Sequence, residues 1–345
     1  MPTTETQPLR GAIIGAGYFS QFQYEAWTRI PEVQIVAASN RTIYKAEEKC
    51  RSYGIPKAYS DWKEMIDVEN PDFVDIITPP STHMEICNYL AERNIHMICQ
   101  KPLTPTYQES LALAKVAQST NARFMVHENW RWQPWYRKVK TLLETGLLGE
   151  LFSIHFLMRM GDGWGNDAYL DRQPYFRDYP QLLMFETGVH FLDTFRYLGG
   201  EVSSLYAKLN KRNPVIAGED SGLVVCNFES GATATLDANR YNEALTDDAR
   251  FTFGIMRIDG SNGHLQMDLT GDLTFKPLGK PIEPIEYEHP RTNFGSDCCF
   301  HLQRHFVKQL LSGEPFEGEV DDYLKTLQLV EACYESAETG QVVKL

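Results

Sequence analysis

The sequence lacks any C-x-x-C pair. Its seven cysteines are scattered, an odd number, with only Cys298 and Cys299 adjacent. Neither a zinc site nor a disulfide framework is written into such spacing, and no metal ligands are nominated. Most of these thiols read as small buried hydrophobes. No apolar run reaches the ~18–20 residues that a membrane span needs. The first eight residues are polar and lack the apolar core of a secretory signal, so a cytoplasmic protein is expected. Positive charge is in short supply: 33 Lys and Arg stand against 46 Asp and Glu, a net charge of −13. No Lys/Arg cluster offsets that field, which repels nucleic acid. A phosphate-bearing ligand must therefore be held by local donors. Internal repeats and low-complexity segments are also missing.

What is present is an ordinary globular composition, 43% hydrophobic and 23% charged, over 345 residues. That length predicts about two domains. Up to about residue 127, short apolar runs alternate with helical stretches. Strands are expected at 11–14, 33–39, 73–77, 95–99 and 123–126. Helices are expected at 19–29, 42–53, 81–92 (with Ser81 as N-cap) and 106–119. Strand–helix alternation with continuous apolar strands predicts a parallel sheet covered on both faces. Beyond, the pattern changes. A helix at 134–144, a long strand at 151–160 and a helical stretch over 186–198 precede strands at 204–211, 222–228, 232–239, 250–259 and 264–267. Helices at 298–312 and 320–339 close the chain. The fold class is α/β: an N-terminal Rossmann domain (1–127) and a C-terminal α+β domain (128–345) with a large, mostly antiparallel sheet.

Three stretches carry chemistry. Gly15-Ala16-Gly17-Tyr18-Phe19-Ser20 follows the first strand and opens the first helix. Gly15 permits the tight turn and Gly17 lets backbone approach a pyrophosphate at the helix N-terminus; Ser20, at the third glycine position, loosens the helix–strand packing slightly. A carboxylate that would bind a ribose 2′-hydroxyl is missing after the second strand, where Asn40 and Arg41 stand instead. Asn40 can bond a hydroxyl; Arg41 can attract a 2′-phosphate, stack on adenine, or simply be solvated. NAD and NADP both remain open. Cys99-Gln100-Lys101-Pro102 falls at the C-terminal end of a parallel strand, where open sheets bind ligands, and Lys101 there is either a substrate-bonding cation or a surface lysine. Glu186 and His190 lie four apart, about 6 Å between Cβ atoms on one helix face. A carboxylate beside an imidazole suits a general base, and equally a buried structural histidine.

The order of these motifs resembles the glucose–fructose oxidoreductase/inositol dehydrogenase/rhizopine-catabolism (Gfo/Idh/MocA) family over nearly the whole chain. Thr78-Pro79-Pro80-Ser81-Thr82-His83 resembles its T-P-x-x-x-H loop beside the nicotinamide ribose. Gln100-Lys101-Pro102 looks like its E-K-P motif with Gln for Glu. Gly146–Glu150 resembles the G-x-x-G turn into the second domain, and Glu186–Asp193 its D-x-x-x-H-x-x-D motif with Glu first. The resemblance implies a cofactor site of Gly15, Gly17, Tyr18, Phe19, Asn40, Arg41, Thr78, Pro79, His83, Gln100 and Lys101. It implies catalysis by His190 as base, Lys101 as partner of a substrate oxygen, and Glu186 bonding a hydroxyl or holding His190. It also implies a homodimer or homotetramer.

The substrate side is read from residues 127–137, three Trp with two Arg, which suits a polyhydroxylated ring or a junction core. Arg131 and Trp132 are nominated there. Arg159 and Trp164 follow, near the glycine-rich 161–165 loop, with residues 167–179 as a lid or rim; Arg159 can instead pair with a carboxylate such as Asp162. The expected activity is NAD(P)-dependent oxidation of a sugar or polyol, best an aldose to its lactone, with a pentose such as apiose among the candidates. A glycosidase using NAD transiently and a catalytically silent sugar-responsive regulator are the alternatives.

Overall fold

A computed structural model describes residues 7–345; of the polar N-terminal stretch, residues 1–6 lie outside the described residues. The chain forms two compact units, one of residues 1–129 with 299–325, the other of 130–298 with 326–345. This corrects the single cut expected at 127/128. The segment 299–325 returns to the first unit.

The first unit runs β1 (Leu9–Ile14), α1 (Ser20–Thr28), β2 (Val33–Ser39), α2 (Ile43–Tyr53), β3 (Ala58–Tyr59), α3 (Trp62–Glu69), β4 (Phe73–Ile76), α4 (His83–Ala91), β5 (His96–Gln100), α5 (Tyr107–Gln118) and β6 (Phe124–His127). Its six strands are parallel in the order β3-β2-β1-β4-β5-β6, the doubly wound arrangement with its switch point between β1 and β4. Ala12, Ile13, Val74, Ile76, Met97 and Ile98 are fully buried. That is why these strands read as continuous apolar runs. β3 and α3 escaped the sequence reading. β3 is two residues long, and α3 starts on Asp61, whose carboxylate caps Lys63 N. Ser81 is not an N-cap. It lies within a 3-10 turn, Pro80–Thr82, and α4 begins only at His83. Thr106, by contrast, forms a capping box with Glu109 ahead of α5.

The second unit begins with α6 (Pro134–Glu144) and β7 (Leu151–Arg159). A π-type turn at Leu183–Gly188 leads directly into α7 (Val189–Gly199). Then come β8 (Val202–Asn210), β9 (Ser221–Phe228), β10 (Thr233–Asn239), β11 (Gly254–Gly260), β12 (Gly263–Met267), β13 (Leu273–Pro277) and β14 (Glu283–Ile285). The chain ends with α8 (Cys298–Ser312), α9 (Val320–Thr339) and β15 (Val343–Lys344). Nine strands make one sheet, β14-β13-β12-β11-β7-β10-β9-β8-β15. Every pair is antiparallel except β7–β10. β11 starts four residues later than expected, because 250–253 turns and Phe253 has φ 64°. On β7, Ile154, Phe156 and Met158 are buried beneath the helix layer, while His155 and Leu157 alternate onto the other, open face.

Candidate active site

In the first unit, the loops leaving β1, β4 and β5 share the carboxyl edge of the sheet at its switch point. Gly15 has φ +118°, and a Cβ there would stand 2.4 Å from the Ile77 carbonyl oxygen, so only glycine fits. Gly15 N donates to Ser39 O at 2.8 Å and the Tyr24 hydroxyl donates to Gly15 O at 3.0 Å. A Cβ on Gly17 would meet nothing within 4 Å. The outer side of the turn is thus open at the start of α1, a cradle that fits a pyrophosphate. Ser20 takes part in the turn itself. Its buried hydroxyl donates to Gly17 O at 2.7 Å and closes it. Tyr18 is 45% exposed, and Phe19 packs on Phe22.

Asn40 has a structural task as well as its nominated one: its Oδ1 accepts from Ala16 N at 3.2 Å, tying the end of β2 to the glycine turn. Arg41 is exposed. Pro79 is exposed beside Thr78, whose hydroxyl accepts from Thr82. His83 is turned inward. It is fully buried, with Nδ1 2.9 Å from Leu103 O and Nε2 2.8 Å from Thr78 O. It therefore staples two loops of this edge together.

Gln100, expected to orient the cofactor amide or Lys101, bonds the Lys101 backbone and reaches inward. Its Oε1 accepts from Lys101 N at 2.9 Å, and its Nε2 donates to Gln23 Oε1 at 3.0 Å. Gln23 Nε2 in turn donates to the Asp75 carboxylate at 3.0 Å. Asp75, in mid-β4, is fully buried and also accepts from Trp27 Nε1 at 2.7 Å. Burial pushes its carboxyl up to about 7, against these donors, which favour the charged form. A lone carboxylate inside the apolar run Phe73–Ile76 was the available signal for this residue, and it was passed over.

In the second unit, His190 occupies the first turn of α7 and is 6% exposed. Its ring stacks on that of Trp130, centroids 4.3 Å apart and 12° from parallel. Phe191, Phe253 and Phe294 surround the other edges of Trp130. The tryptophan stacked on His190 is Trp130; the nominated Trp132 lies under the Arg137 guanidinium at 4.5 Å. Arg131 pairs with Asp193 in a buried bidentate bridge, 2.8 and 2.6 Å, and so anchors α7. Glu186 sits within the π-type turn that leads into α7, where the repeat exceeds that of an α-helix, so the straight-helix spacing to His190 does not carry over unchanged. Glu219 holds this turn: its carboxylate accepts from Leu182 N and Met184 N, and from the Tyr334 hydroxyl at 2.6 Å. Burial first, then Glu186, pushes the Tyr179 phenol up to about 12.

Arg159 does not join His190. It pairs with Asp237, not Asp162, on the face of the sheet opposite α7. Trp164 is 51% exposed on its loop. That loop is pinned rather than loose: Asp162 bridges the buried Arg240, and Asn213 Nδ2 donates to Gly163 O and Gly165 O. The expected rim, 167–179, contributes Ala168, Tyr169 and Phe176 to a small core with Leu182 and Ile216.

Residues 9–128 match the model of the oxidoreductase family with an NAD-binding Rossmann fold, and residues 136–266 match the GFO/IDH/MocA C-terminal domain. The chain belongs to the GFO/IDH/MocA family of oxidoreductases. A D-apiose dehydrogenase of Rhizobium rhizogenes is 30% identical over 98% of this chain and 97% of its own length. One of Paraburkholderia graminis is 29% identical over 99% and 91%. A crystal structure of an oxidoreductase from Agrobacterium radiobacter, in complex with NAD+, L-tartaric acid and magnesium, superposes with a TM-score of 0.90 at 29% identity, over 98% of both chains. The parallel Rossmann sheet and the mostly antiparallel second sheet are the architecture expected from sequence. Among the described residues, no helix is long and apolar enough to cross a membrane, and no cluster of three or more His, Cys, Asp or Glu is arranged for a metal.

Proposed function

We propose that this protein is a cytoplasmic NAD(P)-dependent sugar dehydrogenase that oxidises an aldose at its anomeric carbon, with D-apiose the first substrate to test. The observation that carries the reading is the full-length similarity to two D-apiose dehydrogenases, together with a histidine held by stacking at the head of α7. Bound NAD(P)+ supplies the hydride acceptor. Gly15 and Gly17 shape the turn that receives its pyrophosphate, and Thr78 and Lys101 stand on the same sheet edge. His190 takes the proton of the sugar hydroxyl onto a ring nitrogen. Lys101 donates to a sugar oxygen, and Glu186 accepts from a hydroxyl. Trp130 limits rotation of the His190 ring, so the base is oriented before substrate arrives. We further assign homo-oligomer formation to the open face of the nine-stranded sheet, where Leu157 and Ile255 lie among His155, Thr235, Asp237 and Arg257.

The test is a panel of free aldoses, polyols and aldonic acids, followed by reduced-cofactor absorbance with NAD and NADP separately. Turnover of an aldose, reduced at least ~10²-fold in His190→Ala while NADH still binds, supports the reading. NADH binding without turnover of any member of the panel, or near-normal turnover by His190→Ala, overturns it.

A further inference from the structure

The backbone N–H of Lys101 fixes the direction of every bond in the buried chain behind it. That N–H can only donate, so the Gln100 atom it meets is the carbonyl oxygen. The Gln100 amide nitrogen then faces Gln23, which must present its own oxygen. The Gln23 nitrogen is left facing Asp75, which must accept, and does so through its carboxyl oxygens. Trp27 Nε1 and, at 3.4 Å, Gln303 Nε2 supply further donors to Asp75. Gln23, Asp75 and Gln303 are fully buried and Gln100 is 9% exposed. No link can be inverted without setting donor against donor or acceptor against acceptor in a site without solvent.

We propose that Asp75, Gln23 and Gln100 are positioning residues that hold the Lys101 peptide through this one-way chain, and that glutamine rather than glutamate stands at position 100 because the chain ends on a carboxylate at its other end. The proposal rests on the reading of Lys101 as a cofactor and substrate residue.

The parity of the chain makes it testable by exchanging its ends. In Gln100→Glu, the new carboxylate still accepts from Lys101 N, but its second oxygen faces the Gln23 oxygen. If Gln23 turns to donate, its oxygen then faces Asp75, a conflict above about pH 7, where Asp75 is ionised. His127 Nδ1, 3.5 Å from Gln100 Nε2, relieves the first conflict only in part. In Asp75→Asn, the new amide nitrogen faces Trp27 N–H, or it turns Gln23 and Gln100 in sequence until Gln100 presents N–H to Lys101 N–H. At pH 8, where Asp75 is ionised and the comparison is made, each single variant carries one forbidden contact. The double variant carries none. The carboxylate at position 100 accepts from Lys101 N and from a turned Gln23. The Gln23 oxygen then accepts from the amide nitrogen at position 75, and the amide oxygen there accepts from Trp27.

The experiment measures NADH affinity by fluorescence, turnover on the best sugar of the panel, and melting temperature, for the two single variants and the double variant of the full chain. Each single is expected to weaken NADH binding and lower kcat by about tenfold or more, and the double to return both to within about threefold of the starting protein. Should a single variant fail to fold, a folded double that binds NADH upholds the chain. Losses that multiply in the double overturn the proposal. So does a double whose melting temperature recovers while NADH affinity and turnover do not, since the chain would then be structural only. A starting protein that binds NADH and oxidises no sugar refutes the dehydrogenase reading, and the NADH arm still decides the chain.

Discussion

The His190 imidazole lies flat against the Trp130 indole, 4.3 Å between centroids. Stacking of this kind fixes the ring plane through the ring faces, without drawing on either imidazole nitrogen. Trp130→Phe keeps an aromatic face and is expected to retain turnover within about threefold. Trp130→Leu removes it and should lower kcat by about tenfold with NADH affinity unchanged, since the cofactor turn belongs to the first unit. Equal activity of the two variants in steady-state assays would show that the indole only fills space.

Gly15 and Gly17 separate fold from ligand. Gly15→Ala drives a Cβ into the Ile77 carbonyl at φ +118° and should lower the melting temperature markedly. Gly17→Ala has room for its Cβ in the free protein. It should leave stability within about 0.5 kcal/mol and weaken NADH binding instead. Calorimetry and a fluorescence titration on both variants check the contrast; the reverse pattern would place the pyrophosphate elsewhere.

Asn40→Asp retains an acceptor for Ala16 N and adds a charge where a 2′-phosphate would lie. The ratio of kcat/KM for NAD over NADP should rise at least about tenfold. An unchanged ratio would show that neither Asn40 nor Arg41 reads the adenosine ribose.

Two buried groups pull the pH dependence of stability in opposite directions. Burial pushes Asp75 up to about 7, whereas an unfolded Asp titrates near ~3.9. Between about pH 4 and 7 the native state therefore holds a proton that the unfolded chain has lost, and stability falls as pH rises. Burial pulls His127 down to about 4. Between about pH 4 and 6.5 the unfolded chain holds the extra proton, so His127 makes stability rise with pH. A protonated Asp75 has a place for its hydrogen, because Gln303 Oε1 is buried without a partner and a turn of that amide brings it to the carboxyl. Asp75→Asn removes one slope and exposes the other. The stability advantage of the starting protein over this variant, from urea unfolding, should be about 2–3 kcal/mol larger at pH 5 than at pH 8. A pH-independent difference would mean that Asp75 titrates normally.

Regular elements with strong punctuation were legible in the sequence. Helix α6 opens on Pro134 and α2 stops at a left-handed Gly54, and the helices at 298–312 and 320–339 fall where the apolar spacing put them. Elements too short for any period were not: β3, β14 and β15 exist because a neighbouring strand offers them an edge. The site divides in the same way. Gly15 and Gly17 are dictated by local backbone geometry, which a linear motif records. Arg131 and Arg159 are nominated for their chemistry and His83 and Gln100 through the family resemblance, but their partners Asp193, Asp237, Leu103 and Gln23 are distant in sequence or separated by a loop. Spacing alone does not tell a paired arginine from a waiting one. Trp130 and Trp132 share one 3-10 turn and are both buried, so only the fold shows that it is Trp130 that stacks on His190.

Both borders of the nine-stranded sheet are finished. On one, β14 carries Pro284, which has no N–H to offer, next to Glu283. On the other, Val343–Lys344 lies along β8, and Leu345 N continues the ladder to Ser203 O. Pro284 and the short terminal strand thus reduce the ladder that these borders offer to a second copy. Copies that met broadside, through the face that carries Leu157 and Ile255, would associate by side chains alone, and such a contact can be redesigned one residue at a time without touching a backbone hydrogen bond.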